Sequence, residues 1–283
     1  MNRAITFGKK LSAELKEDRA TGLAAEQAYY YMLAIFPLLI LMISILPYLS
    51  IDPQTVLTYL SSILPGDTFS LIEENVINII TVPNGGLLTF GIIGTLWSAS
   101  NGMMAFIRAM NTAFDVEDSR SFIIVRLISI GLTLGLILAI VTAMLLPIFG
   151  NVIVDFIGQF IYIPNNMEVL INILRYVIAI VVMATVLACL YKFAPDKHYP
   201  FKEVLPGAFA ATVIWQIISF GLSIYVNNFA NYSATYGSLG GVIVLMLWFY
   251  LTGLTFVLGG EINALLHRRK KGQAMNKAKT AAM

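Results

Sequence analysis

The sequence predicts an all-α, polytopic membrane protein with six transmembrane helices, and three observations support this. Of its 283 residues, 58% are hydrophobic and only 12% are charged, with a mean hydropathy of +0.79. A soluble domain carries about twice that charged fraction, because its surface faces water. The apolar residues form runs of about 20, the length that crosses a bilayer as a helix. The basic residues are confined to alternate connections, so a water-soluble enzyme is a poor starting hypothesis.

Six segments are long and apolar enough to be spans. They cover residues 28–49, 87–107, 122–146, 170–191, 206–229 and 239–266. The first, second and fifth contain no Asp, Glu, Lys or Arg. The basic stretch before residue 28 contains no apolar core, so we do not expect a cleavable signal peptide there.

The distribution of Lys and Arg predicts the orientation. Seventeen of the 18 basic residues fall in residues 1–27, in the second and fourth connections with the start of span three, or in the tail 267–283. The first, third and fifth connections contain none, and Arg175 in span four is the exception. Cytoplasmic flanks are enriched in Lys and Arg. We therefore expect both termini in the cytoplasm, and a location in the inner or plasma membrane.

The segments between spans predict further helices. In the first connection, residues 56–64 and 69–80 suit two amphipathic helices at the outer interface. The third connection, residues 147–168, suits an interfacial or re-entrant helix. Residues 1–27 are expected to form an amphipathic segment on the inner surface, and residues 267–283 a basic cytoplasmic tail.

Polar side chains inside spans are costly and usually face a protein interior or a water-filled cavity. In span two, Trp97, Asn101 and Arg108 lie on one helical face, with Ser98 and Asn111 nearby. Two interpretations remain open: hydrogen bonds that fix helix packing, or the lining of a solute path. The candidates for an inner path or gate are Glu26, Trp97, Ser98, Asn101, Arg108, Asn111, Glu261 and Asn263.

Glu261 is the most informative of these candidates, because a carboxylate inside a span needs a cation or a proton. One hypothesis is an ion pair with Arg108 or Arg126. The other is a gate that takes up a proton during a transport cycle.

A second polar group lies toward the outer side. Arg175 is level with the outer end of span five and could bind an anionic head group, or be neutralised by Asp155 or Glu168. The outer recognition candidates are Arg175, Asn227, Asn228, Asn231, Tyr232, Thr235 and Tyr236.

Glycine and proline add weaker predictions. Gly131 with Gly135, and Gly237 with Gly241, form GxxxG patterns that permit close helix approach. Pro37 in span one removes a backbone donor, so a bend is expected there.

Several motifs together resemble a known family. They are Ala24-Ala25-Glu26-Gln27-Ala28-Tyr29-Tyr30-Tyr31, Leu96-Trp97-Ser98-Ala99-Ser100-Asn101-Gly102, Leu205-Pro206-Gly207-Ala208, the run from Tyr225 to Gly240, and Gly259-Gly260-Glu261-Ile262-Asn263-Ala264. This pattern resembles the YihY/BrkB family of bacterial inner-membrane proteins, over about residues 8–266. Glu26-Gln27 stands where the family pattern suggests Ala-Leu, which adds a carboxylate at the inner mouth.

The resemblance implies six helices with both ends in the cytoplasm, and a family in which members have been labelled ribonuclease BN or linked to envelope maintenance and the export of amphiphiles. Metal-assisted phosphodiester hydrolysis needs clustered His, Asp or Glu ligands. His198 and His267 are far apart in the chain, and the cytoplasmic acids are expected to be scattered outside Asp115, Glu117 and Asp118. We therefore expect no enzyme activity, no catalytic residue, no metal site, no cofactor and no nucleic-acid partner.

Two functions remain. The first is a transporter or flippase that moves a lipid-linked or amphiphilic anion between the inner gate and the outer recognition residues. The second is a non-transporting envelope scaffold or partner-binding protein in which the same residues serve packing. No GxxxxGK[ST] motif occurs, so this chain has no sign of its own ATP hydrolysis. The expected partners are membrane lipids and an amphiphilic anion, and the sequence leaves homo-oligomerisation open.

Overall fold

A computed structural model describes residues 3–48, 54–55, 57–58, 61, 82–138, 168–228 and 239–281. Within these ranges the regular structure is entirely helical, which confirms the predicted class. The helices are α1 (Arg3–Glu17), α2 (Ala20–Ile45) followed by the 3-10 turn Leu46–Tyr48, α3 (Gly85–Ala113), α4 (Phe122–Leu138), α5 (Glu168–Phe193), α6 (Phe201–Asn228) and α7 (Leu239–Ala281).

Four helical stretches are long and apolar enough to cross a bilayer. They are Ala20–Tyr48, Gly85–Ala113, Phe201–Val226 and Leu239–Gly272. The other two predicted spans coincide with shorter described apolar helices, Phe122–Leu138 and Val177–Phe193. Large apolar side chains on these helices, such as Phe36, Ile217 and Phe220, are more than 60% exposed, as expected of surfaces that lipid covers. The count of six spans and the cytoplasmic position of both termini stay predictions.

The N-terminal segment differs from the prediction, because it contains a corner. Helix α1 ends at Glu17, and Arg19 adopts a left-handed backbone conformation with φ of 51°. The Arg19 N–H donates to the carbonyl of Lys16 at 3.2 Å, as in helix ends closed by a left-handed residue. Helix α2 then begins at Ala20, eight residues before the predicted span. The sequence reading missed this corner because a left-handed Arg has no sequence signature.

The described chain divides into two compact units, of which one is Tyr29–Asn101. In this unit α2 and α3 approach closely at two glycines. A Cβ at Gly91 would lie 2.8 Å from the Cα of Leu41, and one at Gly94 would lie 3.0 Å from the ring of Pro37. Helix α2 continues through Pro37 to Ile45. Glycine therefore allows this backbone contact, at positions outside the predicted GxxxG patterns.

The other unit comprises Met1–Ala28 and Gly102–Met283. In it α6 packs against both α5 and α7, and α1 packs against α7. Its core is built around aromatic rings: Phe106 of α3 lies 5.9 Å from Tyr191 of α5 and 6.2 Å from Phe256 of α7, between ring centroids. The Tyr191 hydroxyl is buried and donates to the carbonyl of Phe256 at 2.9 Å.

Glycines also join α6 to α7. A Cβ at Gly207 would collide with the carbonyl oxygen of Gly259, and one at Gly259 would lie 2.9 Å from the carbonyl oxygen of Gly207. At Gly131, Gly135 and Gly241 a Cβ would meet nothing within 4 Å, so these glycines mark no close contact within the described chain. Gly237 lies outside the described residues.

Two further differences concern the connections. The predicted tail 267–283 continues α7 as a helix to Ala281, because Ala, Lys, Gln and Met favour helix and no strong breaker intervenes. Of the first connection, residues 54–55, 57–58 and 61 are described, and they are helical. The predicted helices at 69–80 and in the third connection to residue 167 lie outside the described residues.

Candidate functional site

An ion pair joins α2 to α3. Arg108 donates from its guanidinium to Oε1 of Glu26, with side chains 45% and 34% exposed. Both residues were predicted as gate candidates, and the structure brings them together. Where water reaches it, a pair this exposed contributes only about 0.2 to 1 kcal/mol. It can therefore open at little cost.

Glu26 also lines an open cleft of about 470 Å³. The cleft lies at the corner between α1 and α2 and reaches α3. It is lined by Glu17, Asp18, Arg19, Gly22, Leu23, Glu26 and Thr112. Three of these seven residues are acidic, and Arg19 adds a cation to the same lining. The corner that the sequence failed to predict therefore shapes this cleft.

A cluster of three carboxylates lies beside the cleft. One carboxylate oxygen each from Glu14, Asp18 and Glu261 lie within 4.8 Å of one another. Glu261 is fully buried, and both of its oxygens, like Oδ2 of Asp18, accept no hydrogen bond from the part of the chain that the structure describes. Glu14 and Asp18 lie one turn apart on α1, and Glu261 approaches them from α7. The prediction that the cytoplasmic acids are scattered is therefore wrong.

Arg268 forms ion pairs with Glu14 of this cluster and with Asp115. Its guanidinium donates to Oε2 of Glu14 at 2.8 Å, to Oδ2 of Asp115 at 2.5 Å and to the carbonyl of Ala113 at 3.3 Å. Asp115 has a φ of 52° and closes the end of α3. Since Glu261 and Arg268 are seven residues apart, they lie on one face of α7. That face of α7 thus carries Arg268, which donates to two carboxylates, and Glu261, whose oxygens accept no hydrogen bond from a described residue.

The hypothesis that Glu261 pairs with Arg108 or Arg126 is wrong. Arg108 bonds Glu26 instead. Arg126 is buried at the start of α4, where a guanidinium nitrogen lies 3.2 Å from the sulfur of Met104. Neither cation bonds the Glu261 carboxylate, because α1 covers that side of α7 with Glu14 and Asp18.

Asn263 is committed to the backbone of α6. Its Oδ1 accepts from the N–H of Gly207 at 2.7 Å, and its Nδ2 donates to the carbonyl of Val204 at 2.9 Å. Pro206 lies between Val204 and Gly207 in the sequence and removes one backbone donor from α6. The buried amide therefore bridges the turn that proline weakens, and it has a clear packing role.

Asn111 belongs to a network of connections at the ends of α3 and α5. Its amide nitrogen donates to Oδ2 of Asp118 at 2.9 Å, and its oxygen accepts from the N–H of Asp196 at 2.9 Å. Arg120 bonds both oxygens of Asp118, at 2.8 and 2.7 Å, and the carbonyl of Ala194 at 3.1 Å. Asn111 thus links connections that are distant in the sequence.

The hydrogen bonds of this network lower the pKa values of two acids, Asp118 and Asp196. The hydrogen bond from Arg120 is the main cause that holds the pKa of Asp118 below its ordinary value. The hydroxyl and the N–H of Ser119, which donate to Oδ2 of Asp196 at 2.6 and 2.9 Å, lower the pKa of Asp196. Both carboxylates are therefore ionised at neutral pH. Asp118 therefore has a structural partner in Arg120.

The remaining inner candidates lie in the unit Tyr29–Asn101. The Trp97 side chain is 56% exposed, whereas Ser98 and Asn101 are half-buried. Ser100, next to them, is buried and donates to the carbonyl of Trp97 at 2.9 Å. Their role in a path stays a prediction.

The outer candidates are not tested by the structure. Arg175, Asn227 and Asn228 lie on α5 and α6, and their side chains fall outside the described part of the chain. Asn231, Tyr232, Thr235 and Tyr236 lie outside the described residues altogether.

Sequence reasoning missed Glu14, Asp18 and Arg268. The i, i+4 spacing of Glu14 and Asp18, and the i, i+7 spacing of Glu261 and Arg268, place each pair on one helical face and were available signals. What the sequence lacked was the packing of α1 on α7, which brings the two faces together.

Comparison with known proteins identifies the family. Residues 11–283 match the protein family described as "Virulence factor BrkB". A Bacillus subtilis (strain 168) protein named "Putative ribonuclease-like protein YfkH" is 45% identical over 267 residues, which is 94% of this chain and 97% of that protein. No solved structure matches.

More distant relatives are named as membrane proteins. Proteins named UPF0761 membrane protein from Xanthomonas oryzae pv. oryzae (strain PXO99A) and Xanthomonas axonopodis pv. citri (strain 306) are 24% identical over 271 residues. The match covers 92% of this chain but 60% and 61% of those proteins, so the chain spans about three fifths of their length. With its apolar helices, the chain is a multi-pass membrane protein and belongs to the BrkB family, as its motifs predicted.

Proposed function

We propose that this protein is a transporter or flippase for a lipid-linked or amphiphilic anion, with its inner gate at the ion pair of Arg108 and Glu26. The observation that carries the proposal is a half-exposed ion pair between two membrane helices, with Glu26 at the wall of an open cleft. Charged residues at membrane helices commonly mark substrate paths. Packing alone would favour a buried, fully satisfied pair.

The pair suits competition by an anionic head group. Arg presents a planar fork of donors that matches phosphate and carboxylate oxygens. When such a head group reaches Arg108, it replaces Glu26 at little cost, because the exposed pair contributes about 1 kcal/mol or less. The released Glu26 carboxylate then faces the water of the cleft. The apolar part of the substrate would remain against the exposed hydrophobic faces of the spans.

A second function is supported by a different observation. Asn111 and Asn263, two of the predicted path residues, use their amides for internal hydrogen bonds, and the core around Phe106 and Tyr191 is fully buried. A filled inner core favours a scaffold or partner-binding role. In that case the pair of Arg108 and Glu26 would only hold α2 to α3.

The same experiment separates the two functions. The purified protein is reconstituted in liposomes with a panel of fluorescent phospholipids and labelled amphiphilic anions, and flux is compared among variants. The transporter proposal expects Arg108→Ala to abolish flux, whereas Glu26→Gln, which leaves the cation in place, preserves or increases it. Arg269→Ala, at an exposed site near the end of the stretch Leu239–Gly272, is the matched control and should behave as wild type.

A purely structural ion pair gives another pattern. Removal of either partner would then lower the stability by a similar small amount and leave any flux unchanged. A folded wild-type protein that moves none of the panel would contradict the transporter proposal and favour the scaffold. Arg175→Ala, tested in parallel, asks whether the outer cation contributes to the same flux.

A further inference from the structure

The carboxylate cluster of Glu14, Asp18 and Glu261 contains three buried oxygens, both of Glu261 and Oδ2 of Asp18, that accept no hydrogen bond from any described residue. An ionised carboxylate removed from water without compensation is very costly. Among the described residues, Arg268 donates to the cluster at Glu14, and its guanidinium also binds Asp115. A bound ligand that carries positive charge would therefore balance the remaining carboxylates.

We propose that Glu14, Asp18 and Glu261 form a binding site for one hard divalent cation that joins α1 to α7. The proposal concerns a ligand of the membrane protein itself and does not depend on whether it transports an anion.

The spacing of the oxygens suits such a cation. Ca²⁺ takes oxygen ligands at 2.3–2.6 Å, so ligands on opposite sides of the ion are separated by about 4.6 to 5.2 Å. The three carboxylate oxygens lie within 4.8 Å of one another. That upper limit is compatible with Ca²⁺ and with Mg²⁺. Ca²⁺ accepts flexible coordination geometries, whereas Mg²⁺ demands a near-ideal octahedron and loses its water reluctantly, so ligands from two helices favour Ca²⁺.

The number of orphan oxygens argues for a metal rather than a proton. A single shared proton between Asp18 and Glu261 satisfies two oxygens at most and leaves the second oxygen of Glu261 without a partner. A cation can bind both oxygens of Glu261 and reach Asp18 and Glu14 together. All-oxygen coordination by carboxylates is also the ligand set that Ca²⁺ and Mg²⁺ prefer.

The cleft provides a route to the site. Asp18 belongs both to the carboxylate cluster and to the cleft wall. On the same wall, Glu17 attracts cations, whereas Glu26 is paired with Arg108 and Arg19 is itself a cation. A hydrated cation can therefore reach Asp18 from water before it contacts the buried Glu261.

The test measures cation-dependent stability of the full-length protein in nanodiscs of zwitterionic lipid. After removal of metal with EDTA, the thermal midpoint is recorded in EDTA, in 1 mM CaCl₂ and in 1 mM MgCl₂. We expect Ca²⁺ to raise the wild-type midpoint by about 5 °C, with a smaller rise for Mg²⁺. Calorimetry should give one Ca²⁺ per chain.

Two variants and a control make the assignment specific. Glu261→Gln should lose the cation response and should match or exceed the wild type in EDTA, because it removes an uncompensated buried charge. Asp18→Asn, at a half-buried position, should weaken Ca²⁺ binding at least tenfold, and it carries the test if the first variant does not fold. Glu17→Gln removes one charge from the same cleft without touching the cluster, so it should keep the full response.

Other outcomes would overturn the proposal. A wild-type midpoint that ignores both cations but changes between pH 5 and pH 8 would assign the cluster to a proton. An equal loss of response in Glu17→Gln and Glu261→Gln would show only general attraction of cations to an acidic surface. A full response that survives in both Glu261→Gln and Asp18→Asn would place the bound cation elsewhere.

Discussion

The contact between α6 and α7 gives the most direct test of the structure, through the substitution Gly259→Ala. The added Cβ would collide with the hydroxyl of Tyr191 and lie 2.8 Å from Cβ of Ala211 and 2.9 Å from the carbonyl oxygen of Gly207. Two of these neighbours are a backbone atom and a short side chain, which cannot turn away. The helices must therefore separate, or Tyr191 must leave its hydrogen bond to Phe256.

The magnitude follows from these contacts. Overpacking of a rigid core costs about 1 to 3 kcal/mol, and the loss of the buried hydrogen bond of Tyr191 costs about 1 kcal/mol more. Ala is better than Gly inside a helix by about 1 kcal/mol, which offsets part of this loss. We expect Gly259→Ala to lower the free energy of unfolding by about 1 to 3 kcal/mol.

Two other glycines of α7 serve as controls. At Gly260 the added Cβ would meet Cε and Sδ of Met110, at 2.5 and 2.7 Å, and this flexible end can move. The propensity gain then nearly cancels the strain, so Gly260→Ala should change stability by less than about 1 kcal/mol. At Gly272 nothing lies within 4 Å, and Gly272→Ala should be neutral or slightly stabilising.

Unfolding of the purified variants by SDS in mixed micelles, followed by far-UV circular dichroism, measures all three changes under one condition. The order expected for stability is Gly272→Ala, then Gly260→Ala, then Gly259→Ala. If Gly259→Ala proves as stable as Gly272→Ala, α6 and α7 do not touch at Gly207 and Gly259, and the described packing is wrong.

The remaining predictions concern two polar contacts outside the gate. Asn263→Leu should lower the free energy of unfolding by about 2 kcal/mol, because it leaves the N–H of Gly207 without its amide partner. In the same SDS titration, Thr255→Val should lower it by under about 1 kcal/mol, because it loses only a hydrogen bond to Leu251 in its own helix. The lowered pKa of Asp118 means that its contribution is fully present above the unfolded pKa and is lost as the pH falls through the folded pKa. The contribution of Asp118 to stability should thus be constant near neutral pH and be lost below about pH 4, at a cost of about 1 kcal/mol or less. In an acid titration followed by circular dichroism, Asp118→Asn should show a shallower fall in stability than the wild type. An unchanged titration would contradict the role of Arg120.

The sequence predicted what depends on composition and periodicity. The apolar runs identified every described membrane helix, because a bilayer requires about 20 apolar residues wherever the chain crosses it. The motifs identified the family, and Glu261 was recognised as an anomaly because a buried carboxylate is costly in any fold. The left-handed corner at Arg19 was missed, since it depends on backbone dihedrals that any polar residue can adopt at an energetic cost.

The site was predicted less completely, because its geometry comes from contacts distant in the sequence. Arg108 and Glu26 are 82 residues apart, and nothing in either segment specifies that the two side chains meet. One of the two hypotheses for Glu261 expected a cationic side chain beside it, and the structure places two acids there instead. Opposite charges at similar membrane depth predict attraction but not which pairs form, because each pair depends on how its helices are rotated.

The stretch from Gly259 to Asn263 shows how one helical turn of α7 can serve two purposes. Gly259 and Asn263 are four residues apart and face α6, where a bare backbone and a buried amide fix the packing beside Pro206. Glu261 lies between them in sequence but faces α1, where its oxygens lack a protein donor. Substitutions on the first face should therefore act on stability, and substitutions of Glu261 on the response to cations. Loss of function in an α7 variant identifies a cation-binding role only when the stability of that variant is measured as well.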